Sequence, residues 1–174
     1  MTIHLIIIDT ILFISLIISV ITDLKTRKIL DIVTYPTVIL GITFNTIFLG
    51  MDGLRFSLIG WLTGIMVFWV LHVTTGMGLG DVKLMGAVGA LKGWYFTVNT
   101  LIYIGLAGGL MAIIYLIVTG KFVKILVGMF DNLLKKSKDG KEPERTYLPY
   151  GPAILLGVLF YYIALKLNYS IIAY

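Results

Sequence analysis

The chain has 174 residues, of which 59% are hydrophobic and only 13% charged, with a formal net charge of +5. An average soluble domain is about 25% charged. The shortfall excludes an ordinary solvated surface and, with the long apolar runs, predicts an all-α, polytopic membrane helical bundle. There is no cysteine, and His4 and His72 are the only histidines, so disulfides and a Cys/His zinc site are excluded. The basic residues cluster beside apolar runs. That pattern fits orientation in a bilayer and contact with anionic headgroups better than nucleic-acid binding. One bundle fills the length, so residues 1–174 are read as a single membrane-embedded domain.

Six apolar runs are predicted to cross the membrane, each judged against the ~20 residues that span a hydrocarbon core. The first, about Ile3 to Thr22, has no Lys or Arg before it, while Lys25, Arg27 and Lys28 follow it. A secretory signal has the reverse order, so this run is read as a retained helix with its N-terminus outside. The second, about Ile32 to Leu49, has Pro36 near its start, and the third is about Leu54 to Thr75. The fourth, about Val82 to Leu91, is short and glycine-bearing. The fifth is about Phe96 to Thr119 and the sixth about Pro149 to Ile172. Between the last two, Lys121, Lys124, Gly128, Asp131 and Lys135 recur at helical spacing among apolar residues. They predict an amphipathic helix on the cytoplasmic surface or an extension of the fifth run, followed by a polar loop to about residue 148.

Six crossings place eleven of the fourteen basic residues on one side and Arg55, Lys92 and Lys166 on the other. By the positive-inside rule the eleven are cytoplasmic and both termini lie outside. Asp23 and Asp81 then reach the same, cytoplasmic, face.

Asp81 stands in Gly78-Leu79-Gly80-Asp81. A carboxylate at membrane depth is costly and commonly functional, and the glycines allow a bend and close helix approach. Spacing alone leaves a second reading open, an acid capping the fourth helix. Asp23, in isolation, reads more readily as a partner for the bases that follow it, and its arrival at the same face as Asp81 is what favours a functional role. Asp9 lies roughly 21 Å up a helix from Asp23 at 1.5 Å per residue, too far to join a pair there, so a structural hydrogen bond or an outer-interface position is expected. Asp31 is a nearer but weaker competitor, and Asp52 falls in an outer loop. His72 is read as a packing residue. Gly60/Gly64 and Gly105/Gly109 have the GxxxG spacing of closely packed helices.

The run Gly76 to Met85 followed by Gly86, Gly89 and Gly93, the segment Asp23 to Ile29, and Leu148-Pro149-Tyr150-Gly151-Pro152-Ala153 occur in one order. Together they resemble the type IV prepilin peptidase family, membrane aspartic proteases with a GxGD motif. The resemblance covers essentially the whole chain. It implies a catalytic pair, Asp23 and Asp81, supported by Gly78, Gly80, Lys83, Pro149, Gly151 and Pro152. It further implies cleavage of the basic leader from prepilin or pseudopilin precursors at the cytoplasmic face of the cell (inner) membrane, with no cofactor and no metal. Family members often carry Ile-Pro-Asn after the first aspartate where this chain has Ile29-Leu30-Asp31, so Asp31 is an acid where an amide is usual. Larger bacterial members carry an additional methyltransferase domain with paired cysteines. This chain looks like the short, peptidase-only form. Two adjacent carboxylates do not both ionise easily, so such a pair shares a proton. One member then takes a proton from water while the other hydrogen-bonds the scissile carbonyl. Presenilin-like intramembrane proteases also use a GLGD tetrad, and glycine-broken helices with carboxylates also serve ion-coupled transporters. These are the alternative readings.

Overall fold

The computed structural model describes residues 2–119 and 150–167. The predicted amphipathic segment and loop at about 121–148, Pro149, and the end of the sixth apolar run lie outside the described residues. Four α-helices make up the described chain: α1 (Thr2–Thr26), α2 (Asp31–Thr75), α3 (Leu79–Val118) and α4 (Gly151–Lys166). The first three are each long and apolar enough to cross a membrane.

α2 and α3 are not continuous rods. Gly50 (φ 64°, ψ −141°) interrupts α2 and Gly93 (φ 77°, ψ 175°) interrupts α3. Both adopt a positive φ, which glycine tolerates at little steric cost. Asn45 shows that α2 folds back at its break. Its amide donates to Ser57 Oγ at 2.8 Å, although twelve residues of unbroken helix would separate them by roughly 18 Å. The breaks fall at the predicted boundaries between the second and third apolar runs and between the fourth and fifth.

The short arm of α3, residues 79–92, forms the centre. From Asp81 to Leu91 every residue except Lys83 is buried, as expected of a helix that is apolar all round. Val82, Leu84, Met85, Val88 and Leu91 join Ile8, Leu12 and Leu16 of α1, Phe68 of α2, and Ile154, Val158 and Tyr161 of α4 in one core. The outer faces carry exposed Ile3, Ile39, Met66, Val73 and Leu106, a surface suited to lipid.

Glycine sets the approach of α2 to this central arm. A Cβ on Gly60 would lie 2.1 Å from the Gly89 carbonyl oxygen, and one on Gly64 would lie 2.2 Å from that of Met85. The predicted Gly60/Gly64 contact is therefore present, backbone against backbone. Gly105/Gly109 departs from expectation. Both face outward, with nothing within 4 Å among the described residues; helical spacing creates a smooth patch but does not supply a neighbour.

The break at Gly93 has a polar consequence. Carbonyls in the turn preceding a helix interruption lose their usual partners. Asn45 donates to those of Ala90 (3.1 Å) and Leu91 (3.2 Å), and its own oxygen meets His4 Nε2 at 2.8 Å. Asp9, placed by sequence outside the acid pair, is held by Lys92 Nζ at 2.8 Å and Tyr162 OH at 2.5 Å. It has the structural role expected of it.

Gly60→Val inserts atoms where no space exists and should cost the detergent-solubilised protein about 1–3 kcal/mol of stability, the usual cost of overpacking. Gly105→Ala should stay within about 0.5 kcal/mol of the parent. Thermal unfolding of the two variants checks the contrast, and equal losses would contradict this packing.

Candidate active site

Asp23 lies in the last turn of α1, because the helix runs to Thr26, four residues past the predicted end at Thr22. The Arg27 N–H donates to the Asp23 carbonyl at 2.8 Å, and Arg27 itself takes a positive φ of 55°. That left-handed residue ends the helix. Ile29 and the extended Leu30 (φ −79°, ψ 133°) then carry the chain into α2 at Asp31.

Asp81 arrives from the other side. α2 ends at left-handed Gly76 (φ 72°, ψ 22°), whose N–H donates to the His72 carbonyl at 2.9 Å. His72 Nδ1 bonds the Met77 carbonyl oxygen across the same turn. The sequence assigned His72 to packing. It also pins the loop leading to the acid. α3 starts at Leu79 rather than near Val82, so Asp81 sits in the first helical turn, with its N–H donating to the Gly78 carbonyl at 3.2 Å. An acid is favoured there by the helix dipole, so the capping reading and the paired reading describe the same residue.

Both carboxylates line one cavity of about 230 Å³, together with Arg27, Lys28, Ile29, Asp31, Gly78, Leu79, Gly80 and Lys83. Asp23 is 1% exposed and Asp81 6%. Among the described residues, Asp81 Oδ1 is buried with no hydrogen-bond partner. Such an atom is expensive in a fold and is available to a molecule entering the cavity.

Three glycines make this proximity possible, each at a different contact. At Gly151, the first residue of α4, the backbone N–H donates to Asp23 Oδ2 at 2.9 Å, and a Cβ would lie 2.9 Å from the same oxygen. The N–H groups of a helix start lack partners within the helix, so α4 supplies a free donor to the acid. At Gly78 a Cβ would stand 3.0 Å from Asp81 Oδ2, and at Gly80 it would stand 2.9 Å from Ile29 Cβ. Gly80 thus lets the segment after Asp23 lie on the helix that carries Asp81. Pro152 occupies the first turn of α4, where its missing N–H costs nothing.

Lys83 does not reach toward the acid pair. Its Nζ binds both carboxylate oxygens of Asp31, at 2.7 and 2.9 Å, and lies 5.4 Å from the centre of the Tyr35 ring. Asp31, which the sequence weighed as a competitor, lines the cavity but is committed to Lys83. Neither this pairing nor the Gly151 donor was readable residue by residue. Among the described residues there is no group of three or more His, Cys, Asp or Glu side chains able to hold a metal ion.

A family model for the type IV leader peptidase family matches residues 10–113, a stretch that contains Asp23, Asp31, Asp81 and Lys83. Curated relatives include the prepilin leader peptidase/N-methyltransferase of Pseudomonas aeruginosa, 33% identical over 92 residues, covering 49% of this chain and 32% of that protein. Proteins of the same name from Aeromonas hydrophila (34% over 98 residues, 52% and 33%) and Pectobacterium carotovorum subsp. carotovorum (29% over 106 residues, 58% and 38%) are similar too. Each match spans about a third of the relative's own length. No solved structure matches. With more than half of its residues matched by the family model, including both segments that bring the buried acids together, the chain belongs to the type IV leader peptidase family.

Proposed function

We propose that this protein is a membrane aspartic endopeptidase that removes the basic leader from prepilin or pseudopilin precursors, using Asp23 and Asp81 to activate water. The observation that carries the reading is the meeting of two almost fully buried carboxylates from separate helices on one cavity. Family membership supplies the reaction class, and the names of the relatives supply the class of substrate.

In this reading the bundle crosses the membrane six times, α2 and α3 each contributing two arms. Both termini face outside, and the cavity opens at the cytoplasmic side of the inner membrane. The support is the distribution of basic residues, with Arg27, Lys28 and Lys83 all at the cavity. A precursor with a basic leader and an apolar helix would keep its leader on that side while the helix rests in lipid, presenting the junction to the acids.

Chemically, one ionised carboxylate takes a proton from water as the water attacks the scissile carbonyl, and the protonated partner hydrogen-bonds the carbonyl oxygen. The proton then passes to the leaving amine, completing hydrolysis without a covalent enzyme intermediate. The N–H of Gly151 fixes the orientation of Asp23. Asp81 Oδ1, having no partner within the described residues, is free to bond water or substrate.

Asp23→Asn and Asp81→Asn should each reduce cleavage of a prepilin by about 10³-fold or more, within the range attributed to positioned acid–base groups, while the protein stays inserted and folded. Asp9→Asn should retain substantial activity. Cleavage assays on purified full-length protein decide this, and normal turnover by either variant at the pair would sink the assignment. Gly151→Ala should lower kcat by about 10–100-fold, because its methyl group displaces the carboxylate of Asp23 by a fraction of an ångström or more. An unchanged kcat would show that the Gly151 contact is incidental.

A further inference from the structure

We propose that Asp31 and Lys83 form a positioning pair that holds the two acid-bearing segments in register; this rests on the reading of Asp23 and Asp81 as the cleaving pair. Asp31 opens α2, two residues beyond Ile29, and Lys83 stands on α3 two residues beyond Asp81. Their side chains join across 52 positions of sequence, with one ammonium bridging both oxygens of one carboxylate at 2.7 and 2.9 Å. Just behind them Gly80 seats Ile29. The segment leaving Asp23 is therefore fastened to the helix of Asp81 at two consecutive points, one apolar and one ionic.

Several physical features single out this pair. Asp31 opens α2, where the helix dipole favours an acid, and Lys83 follows the first turn of α3. Half-exposed pairs, here 37% and 53% exposed, contribute little to overall stability. What the bridge does supply is direction, since it spans two chain segments rather than one turn of a single helix. The pair also stands at a boundary. Lys83 and Tyr35 line a second, largely apolar cavity of about 310 Å³ with Val38, Trp61 and Ile65, while Lys83 and Asp31 line the cavity of the acids. The charged groups around that cavity are Asp23, Asp81, Arg27, Lys28, Asp31 and Lys83. Engagement by Asp31 keeps the Lys83 ammonium directed at α2.

Steady-state cleavage of a prepilin by the purified full-length protein tests the role. Asp31→Ala and Lys83→Met should each lower kcat by about tenfold, the scale of a modest misplacement of reacting groups, with KM unchanged. The double variant should lose no more than either single, because both remove one interaction. Lys83→Arg, which keeps the charge and the reach, should restore kcat relative to Lys83→Met. Multiplying losses, or a raised KM at unchanged kcat for Lys83→Met, would overturn the proposal; the latter would show that Lys83 touches substrate instead. Should Asp31→Ala unfold, Asp31→Asn preserves side-chain volume with one acceptor and should still lower kcat, and wild-type kcat there with a folded protein would also overturn it. Asp23→Asn, run alongside, separates the two failures. If that variant still cleaves, the reading of the acid pair is wrong; if it is inactive while Asp31→Ala is normal, only the positioning role fails.

Discussion

Two buried carboxylates lining one cavity in an apolar bundle are the constraint to which the rest of this structure answers. Desolvating a carboxylate is costly unless hydrogen bonds compensate, and placing a second beside it adds repulsion. Asp23 is compensated by an N–H from the start of α4. Asp81 is placed in the opening turn of α3, where the helix dipole favours a negative charge. The remaining oxygen, Oδ1 of Asp81, is left without a bond among the described residues. A fold selected for stability alone has no reason to keep such an atom, whereas the proposed hydrolysis would use it.

The route to that arrangement runs through backbone contacts rather than side-chain interlock. Gly60 and Gly64 bring α2 onto the carbonyls of the central arm, and Gly80 brings Ile29 onto its first turn. Gly151 brings α4 onto Asp23 itself. Without those approaches the arm carrying Asp81 would stand further from α1, and the acids would not share a cavity. The interruption at Gly93 keeps this arm short enough to be surrounded, and Asn45 satisfies the carbonyls of Ala90 and Leu91 near the break. The polar interior at Asn45 and the ion pair of Asp9 with Lys92 are thus supports of the bundle, separate from the acid pair in both residues and cavity.

Much of this was legible in the sequence because membrane helices announce themselves by apolar length and are punctuated by glycine. The boundaries around Gly50 and Gly93 and the separation of Asp9 from the acid pair followed from such local facts. Helix ends were less legible. Asp23 lies inside α1 because the helix continues to Thr26 before left-handed Arg27 stops it, and no local signal makes an arginine adopt that conformation. The start of α3 was read three residues late because Gly78 to Asp81 looks like a bend, whereas an acid in a first turn supports a helix. Gly105/Gly109 had the pattern of an interface but meets no neighbour among the described residues, since a motif on one helix cannot specify what lies opposite. The Asp31–Lys83 bridge and the Gly151 donor join residues 52 and 128 positions apart, so they emerge only when the chain is folded.

The central claim is that Asp23 and Asp81 act as one unit, and the most direct measurement is the residual rate of prepilin cleavage by the doubly substituted Asp23→Asn/Asp81→Asn protein beside each single variant. Groups that share one proton and one water fail together, so the double variant should cleave no more slowly than the singles. Losses that multiply, or measurable turnover that depends on only one of the two acids, would contradict the account.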